Sequence, residues 1–118
     1  MIKTWAIDID GVITSNPYFW AWWIYELRKN NQKVVILTSR NPNRQEKTKV
    51  ELANWGITYD EIYFMESELP RGYDTQANWK VKMVKEIRPD IWIDNEFKSY
   101  ERTLGVSTDI EGVTRIEI

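Results

Sequence analysis

This sequence of 118 residues contains no cysteine and no histidine. The absence of cysteine excludes disulfide bonds, zinc–thiolate sites and cysteine nucleophiles. The absence of histidine removes the commonest general base and the commonest metal ligand of proteins. Acid–base chemistry must therefore depend on carboxylates, lysine or tyrosine. Any metal site would consist of oxygen ligands, which favour a hard divalent cation.

The chain also lacks a strong charge imbalance and a long apolar run. Its formal net charge is −2 and its isoelectric point is about 5.2, which argues against electrostatic binding of nucleic acid over a broad surface. No apolar segment is long enough to cross a membrane, and the N-terminus enters a strand directly, without the pattern of a signal peptide. We therefore expect a cytoplasmic protein whose residues 1–118 form one domain.

Short apolar runs alternate with helical patterns along the chain. Asn16-Pro17 and Asn41-Pro42 are helix-start signals, with asparagine as the N-cap and proline as the first helical residue. We predict strands at 2–9, 34–37, 62–65, 91–93 and 113–118, a loop at 66–76, and helices at 17–30, from Pro42 to about 55, at 76–87, and after Glu96 to Leu104. This alternation predicts an α/β fold, a three-layer α/β/α sandwich around a mainly parallel, Rossmann-like sheet of about five strands.

Polar side chains follow three of the predicted strands. Asp8 and Asp10 follow the first strand, Thr38 ends the second, and Asp94 ends the fourth. Because the carboxyl ends of parallel strands meet at one edge of a sheet, we expect these side chains to converge. If the strand geometry continues, Asp8 and Asp10 lie on the same side, and each raises the pKa of the other unless a cation lies between them. Aspartate and glycine are also ordinary turn residues, so Asp8 to Gly11 has a purely structural interpretation as well.

Four segments form an ordered pattern along the chain: Asp8-Ile9-Asp10-Gly11-Val12, Leu37-Thr38-Ser39-Arg40, Lys80, and Ile93-Asp94-Asn95. This pattern resembles the haloacid dehalogenase-like (HAD) superfamily of phosphotransferases. The first motif is moderately specific, and the other three gain weight from their order and from their positions at strand ends. The resemblance covers essentially the whole chain and implies a Mg²⁺-dependent phosphatase.

The resemblance implies a role for each residue of the motifs. Asp8 would be the nucleophile that forms an aspartyl-phosphate, and Asp10 would be the general acid and then the base for water. Thr38 would donate a hydrogen bond to a phosphoryl oxygen. Lys80 would neutralise the nucleophile and the phosphate. Mg²⁺ would bind Asp8, the backbone carbonyl of Asp10, and Asp94.

Several assignments in this pattern stay open. Lys80 shares an apolar helix face with Val84, whereas Lys82 lies on another face and is the alternative active-site lysine. Many family members carry a second aspartate after the fourth-strand acid, where this chain has Asn95 and then Glu96. Either of these side chains could hold a metal-bound water, or neither could have a role.

The two gaps where relatives insert a cap domain, 11–33 and 41–79, are too short for one here. An open active site follows, which favours a large substrate or a small one covered by a second subunit. Ser39 and Arg40 are candidates to bind the substrate, and Arg71 and Tyr73 are further candidates. Helix 17–30 is apolar around much of its circumference, so it is either deeply buried or an interface of a homo-oligomer.

Other classes of function compete with the phosphatase. A response-regulator receiver domain has a similar length and sheet, but it carries its acceptor aspartate at the end of the third strand and its lysine at the fifth. Here the third strand ends in Met65-Glu66 and Lys80 precedes the fourth strand. A HAD-like protein that binds a phosphorylated ligand without turnover is another alternative. Among enzymes, a nucleotide and a nucleic-acid 3′-phosphate are both candidate substrates.

Overall fold

The computed structural model describes residues 2–118. The strands are β1 (Thr4–Ile7), β2 (Lys33–Thr38), β3 (Glu61–Phe64), β4 (Ile91–Asp94) and β5 (Thr114–Glu117). They form one parallel sheet in the order β3-β2-β1-β4-β5. The helices are α1 (Pro17–Lys29), α2 (Gln45–Asn54), α3 (Tyr73–Ile87) and α4 (Phe97–Leu104).

The helices cover both faces of the sheet, which confirms the predicted three-layer sandwich. On one face, α1 and α2 bury a cluster that includes Ile7, Ile24 and Leu52. On the other face, α3 and α4 bury a cluster that includes Val84 and Trp92. Successive strand residues alternate between the two clusters, because side chains in a strand point to opposite faces in turn.

The central position of β1 brings the polar strand ends together. Ile7 is paired with Ile36 of β2 on one side and with Ile93 of β4 on the other. Asp8 follows Ile7, and its backbone amide donates to the carbonyl of Ile93 at 3.2 Å. All three strands are parallel, so Asp8, Thr38 and Asp94 leave the sheet at the same edge, as predicted.

Three elements have a boundary that differs from the prediction by two residues or more. β1 ends at Ile7 rather than Ile9, because the chain turns at once toward Gly11, whose φ is +86°. The predicted helix after Asn41 divides into a short 3₁₀ turn at 42–44 and α2, which begins at Gln45. α3 begins at Tyr73, inside the predicted loop 66–76.

Neither predicted gap holds a separate cap. The segment from β1 to β2 contains a 3₁₀ turn at 13–15 and α1, and the segment from β2 to α3 contains the 3₁₀ turn at 42–44, α2 and β3. The sheet edge that carries the polar strand ends is therefore not covered by an additional domain within residues 2–118. No helix of this part of the chain is long and apolar enough to cross a membrane.

The predicted capping signals and the aromatic helix are both present. The side chain of Asn16 accepts a hydrogen bond from the backbone N–H of Phe19 at 3.2 Å, and Asn41 accepts one from Asn43 at 2.9 Å, which confirms both caps. α1 buries Trp20, Ile24 and Leu27 against the sheet. Its outer face exposes Tyr18, Phe19, Trp22 and Tyr25. The homo-oligomer through helix 17–30 stays a prediction.

Candidate active site

Asp8 and Asp10 have opposite environments. The residue Asp8 is 4 % exposed, whereas the side chain of Asp10 is 59 % exposed. The expectation that both carboxylates share one side depended on a strand that continues to Asp10, and this condition is wrong because β1 ends at Ile7. The turn directs Asp8 into the protein and leaves Asp10 at its surface.

Lys80 links Asp8 to Asp94. Its Nζ lies 3.2 Å from Oδ2 of Asp8 and 3.0 Å from Oδ2 of Asp94, and all three side chains are almost fully buried. Oδ1 of Asp94 accepts hydrogen bonds from the backbone amides that follow it, at 2.7 Å from Asn95 and 3.1 Å from Glu96. Asp94 is thus held in one orientation, and Lys80, rather than the exposed Lys82, lies between the two carboxylates.

This buried cluster has two acids for one base. Burial raises the pKa of Asp8 to about 7; Lys80 opposes this shift and the neighbouring Asp94 adds to it. Burial also lowers the pKa of Lys80, but the charges of Asp8 and Asp94 outweigh it, and the net direction is upward. The upward pKa shifts of Asp8 and Lys80 are consistent with each other. Two carboxylates stabilise the charge of the one cation, but that cation cannot neutralise the charges of both carboxylates.

The donor atoms at this edge suit a hard cation. No group of three or more His, Cys, Asp or Glu side chains that could hold a metal occurs in the described part of the chain. The set implied by the sequence needs only two carboxylates, those of Asp8 and Asp94, together with the backbone carbonyl of Asp10. These are all oxygen donors around an uncompensated negative charge, so the residues fit Mg²⁺.

Thr38 and Arg40 occupy the neighbouring strand end. Thr38 is completely buried, and its Oγ1 accepts a hydrogen bond from the backbone N–H of Arg40 at 3.1 Å. A hydroxyl that accepts in this way still has its own proton to donate, as the predicted contact with a phosphoryl oxygen requires. Ser39 lies between them and is partly buried.

The guanidinium of Arg40 binds Asp10 in a bidentate pair. Nε lies 3.0 Å from Oδ2 of Asp10 and Nη2 lies 2.8 Å from Oδ1, while Nη1 lies 2.8 Å from Oε1 of Glu51. The hydrogen bond to Asp10 raises the pKa of Arg40 further above its ordinary value, so this cation stays charged. The sequence analysis placed Arg40 on the substrate and did not foresee this contact with Asp10.

Two further candidates are bound by the protein itself. Arg71 donates to the backbone carbonyls of Ser39 at 3.1 Å, Met65 at 3.1 Å and Glu66 at 2.8 Å, so it ties the loop after β3 to the loop after β2. The hydroxyl of Tyr73 donates to Oγ of Ser99 at 2.7 Å. Both side chains therefore stabilise the walls of the site.

Asn95 packs against the turn that carries Asp10. A Cβ atom on Gly11 would overlap the side-chain amide of Asn95, and the φ of +86° at Gly11 is a conformation that other residues rarely adopt. The structure therefore gives Asn95 a packing role at the edge of the site. A role for Asn95 or Glu96 with a metal-bound water stays a prediction.

The sequence analysis did not single out Tyr100 of α4. Its side chain is completely buried, and the centroid of its ring lies 5.8 Å from Nζ of Lys80. The spacing of Phe97, Tyr100 and Leu104 marks one apolar face of α4 and could have identified Tyr100 as an inward residue. Its neighbour across the fold was not readable from that spacing.

Comparisons with known proteins identify the fold. No family model and no curated protein matches this chain. Two structures of the Pnkp1/Rnl/Hen1 RNA repair complex contain a similar chain, each at 16 % identity, with TM-scores of 0.69 and 0.68; 99 % of this chain aligns with 42 % and 46 % of those chains. A universal stress protein in complex with cAMP is similar at 16 % identity and a TM-score of 0.52, over 98 % of this chain and 97 % of that one.

These likenesses show the Rossmann-like sandwich, because identities this low reflect shared architecture and do not show a shared activity. The chain spans less than half the length of the RNA-repair chains that it resembles. One fold accommodates unrelated activities, as an RNA repair complex and a cAMP-bound protein illustrate. Function must therefore be argued from the site.

Proposed function

We propose that this chain is a HAD-like phosphatase that hydrolyses phosphomonoesters through an aspartyl-phosphate on Asp8 and requires Mg²⁺. One observation carries the proposal. The buried carboxylate of Asp8 lies at the carboxyl edge of a parallel sheet, 3.2 Å from Nζ of Lys80, which also binds Asp94 at 3.0 Å. A nucleophile, a fixed cation and a further metal-ligating acid are the groups that phosphoryl transfer needs.

The proposed reaction has two displacements. An oxygen of Asp8 attacks phosphorus, the bond from phosphorus to the ester oxygen breaks, and that oxygen takes a proton from Asp10. Asp10 then removes a proton from a water molecule, which attacks the phosphorus of the aspartyl-phosphate and releases inorganic phosphate from Asp8. Lys80 and Thr38 stabilise charge on the phosphoryl oxygens during both displacements. Mg²⁺, when bound, would supply further charge neutralisation and orientation.

Asp10 must reach the leaving group in the first displacement, and Arg40 stands in the way of this. The bidentate pair at 2.8 and 3.0 Å occupies both carboxylate oxygens of Asp10. We propose that Arg40 transfers part of its hydrogen bonding to the substrate phosphate, with Ser39 beside it. Asp10 then has one oxygen available for the leaving group.

The proposed substrate is a nucleotide or a nucleic-acid 3′-phosphate. The absence of a cap within residues 2–118 supports a site open to a large molecule. The likeness to chains of an RNA repair complex supports a nucleic-acid end. The net charge of −2 argues that contacts would be confined to the terminal nucleotides rather than a long tract.

A phosphate-release assay tests the proposal. The purified protein is incubated with nucleotides, 3′-phosphorylated oligonucleotides and p-nitrophenyl phosphate, with Mg²⁺ or with EDTA. We expect release with Mg²⁺, none with EDTA, and none from Asp8→Asn in either case. Calorimetry should also show weaker Mg²⁺ binding by Asp94→Ala, with the exposed Asp109→Ala as the matched control. A wild-type protein that hydrolyses none of these substrates would contradict the proposal.

The second candidate is a protein that binds a phosphorylated ligand without turnover. The likeness to a cAMP-bound universal stress protein, which extends over nearly the full length of both chains, favours this candidate. Calorimetric binding of a nucleotide by a wild-type protein that releases no phosphate would support it over the phosphatase.

A further inference from the structure

We propose that Tyr100 is a positioning residue for Lys80, and that it holds the lysine ammonium between Asp8 and Asp94 through its ring face and, when a phosphate is bound, through its hydroxyl oxygen. The inference rests on the proposed phosphatase, in which Lys80 neutralises the nucleophile and the phosphate. Its structural part, the contact between Tyr100 and Lys80, can be tested without any catalysis.

The fold places Tyr100 next to both partners of the lysine. Asp94 ends β4 and Tyr100 lies in α4, which begins three residues later at Phe97. Lys80 projects from α3, which lies on the same face of the sheet as α4. Nζ of Lys80 lies 5.8 Å from the centroid of the Tyr100 ring, within the distance at which a cation is attracted to an aromatic face.

The ammonium has a hydrogen-bond donor to spare. A lysine ammonium carries three N–H donors, and among residues 2–118 those of Lys80 have two carboxylate partners, Asp8 and Asp94. Tyr100 is the further group beside Nζ, and it offers both a ring face and an oxygen that can accept. The charge of Lys80 in turn lowers the pKa of Tyr100 against the dominant effect of burial, which raises it.

The hydroxyl of Tyr100 has no other evident purpose. It is completely buried and has no hydrogen-bond partner of good geometry among residues 2–118. Phenylalanine would fill the same space without the cost of a buried, unpaired hydroxyl. An oxygen in this position is explained if it accepts the remaining N–H of Lys80 once the ammonium adjusts to a bound phosphate.

Tyr73 provides a matched control. Its ring packs against the ring of Tyr100 with centroids 5.5 Å apart, and it is a partly buried tyrosine in the same wall of the site. Its hydroxyl, however, already donates to Oγ of Ser99 at 2.7 Å. Tyr73→Phe therefore removes one hydroxyl from the same pair of rings without removing a possible acceptor from Lys80.

The kinetic experiment compares wild type, Tyr100→Phe and Tyr73→Phe in phosphate release with Mg²⁺. For Tyr100→Phe we expect kcat to fall about tenfold, the effect of one hydrogen bond to a charged group, with KM within about twofold. Its melting temperature should equal or exceed that of wild type, because an unpaired buried hydroxyl is removed. Tyr73→Phe should lose less kcat than Tyr100→Phe, because it removes no acceptor from Lys80. A loss of kcat that is equal in both variants would overturn the proposal, since it would indicate a general packing effect.

The second readout is direct and needs no turnover. In wild-type protein labelled with ¹⁵N-lysine, NMR should show nuclear Overhauser contacts between the Nζ protons of Lys80 and the ring protons of Tyr100. With inorganic phosphate bound, the Nζ protons should exchange with solvent faster in Tyr100→Phe than in wild type, and at the wild-type rate in Tyr73→Phe. An inactive wild type with these contacts would contradict the phosphatase and support the positioning of Lys80. The absence of these contacts in wild type, or unchanged exchange together with unchanged kcat in Tyr100→Phe, would refute the role of Tyr100.

Discussion

Two clusters of this protein contain the same set of charges, two carboxylates and one base, in different surroundings. Asp8, Lys80 and Asp94 have side chains that are 0 to 5 % exposed. Asp10, Arg40 and Glu51 have side chains that are 59, 23 and 39 % exposed. The ion-pair distances are similar, 3.0 to 3.2 Å in the first cluster and 2.8 Å in the second.

Solvent makes the difference between the two clusters. In the buried cluster, desolvation raises the pKa of Asp8 to about 7 even though a cation lies beside it. In the exposed cluster, water stabilises whatever charge the base leaves uncompensated, and dissolved salt screens the pairs. Burial therefore leaves an unfavourable negative charge at Asp8, the proposed nucleophile. Solvent exposure allows the ion pairs of the second cluster to rearrange.

The largest expected effect concerns the different work of the two aspartates. Asp8→Asn should abolish phosphate release from every substrate, because an amide does not act as the attacking carboxylate. Asp10→Asn should lose much more activity on an alkyl phosphate than on p-nitrophenyl phosphate, whose weakly basic leaving oxygen needs little protonation. Steady-state rates of each variant on the alkyl phosphate and on p-nitrophenyl phosphate measure this difference in activity loss. Near-normal activity of Asp8→Asn on any substrate would disprove the assignment of the nucleophile.

Removal of the buried base should be the most costly change for stability. Lys80→Met leaves Asp8 and Asp94 buried without a cation, and a broken buried pair typically costs about 3–5 kcal/mol. We expect a lower free energy of unfolding in urea at pH 8 and a smaller loss at acidic pH, where a carboxylate can be neutralised by a proton. The exposed Lys82→Met is the matched control and should unfold like wild type. Equal effects of the two variants would contradict the buried cluster.

Removal of one buried acid should act in the opposite direction. The pKa of Asp8 is about 7 in the folded protein, above its ordinary value of 3.8, so the folded state binds more protons and wild-type stability falls as pH rises between these values. An amide resembles the protonated acid and does not ionise, so Asp8→Asn escapes this loss. At about 1.4 kcal/mol per pKa unit, the variant should gain about 4 kcal/mol over wild type above pH 7 and little below pH 4.

Urea unfolding of Asp8→Asn across this pH range, in buffer with EDTA, measures that difference. Asp109→Asn, at an exposed position, is the control and should parallel wild type at every pH. A stability difference for Asp8→Asn that stays constant from pH 4 to pH 8 would show that Asp8 does not titrate in this window.

A substitution in the exposed cluster should have the smallest effect on the free energy of unfolding. Arg40→Ala removes the partner of Asp10 and Glu51, but partly exposed pairs contribute about 0–1 kcal/mol and are weakened by salt. We expect a change in unfolding free energy below about 1 kcal/mol, smaller still in high salt, measured beside Lys80→Met. A loss as large as that of Lys80→Met would remove the distinction between the two clusters.

Local patterns were sufficient for the architecture and for much of the site. The apolar runs and the Asn-Pro caps predicted the alternation of strands and helices, and parallel strands have their carboxyl ends at one edge. Asp8, Thr38 and Asp94 therefore lie at the same edge of the sheet, as expected, while their roles stay predictions. Lys80 was placed by the apolar face that it shares with Val84, because helical periodicity is a property of consecutive residues.

Tertiary structure decided which side chains face each other. The turn at Gly11, which is packed against Asn95 of the distant β4 end, separates Asp10 from Asp8 and directs it to Arg40. The packing of α4 beside α3 brings Tyr100 to Lys80. Periodicity identifies the inner face of an element but not the element opposite to it, since that depends on how the whole chain buries its apolar surface. For the same reason, the solvent exposure that distinguishes two chemically equal clusters was not readable from the order of the residues.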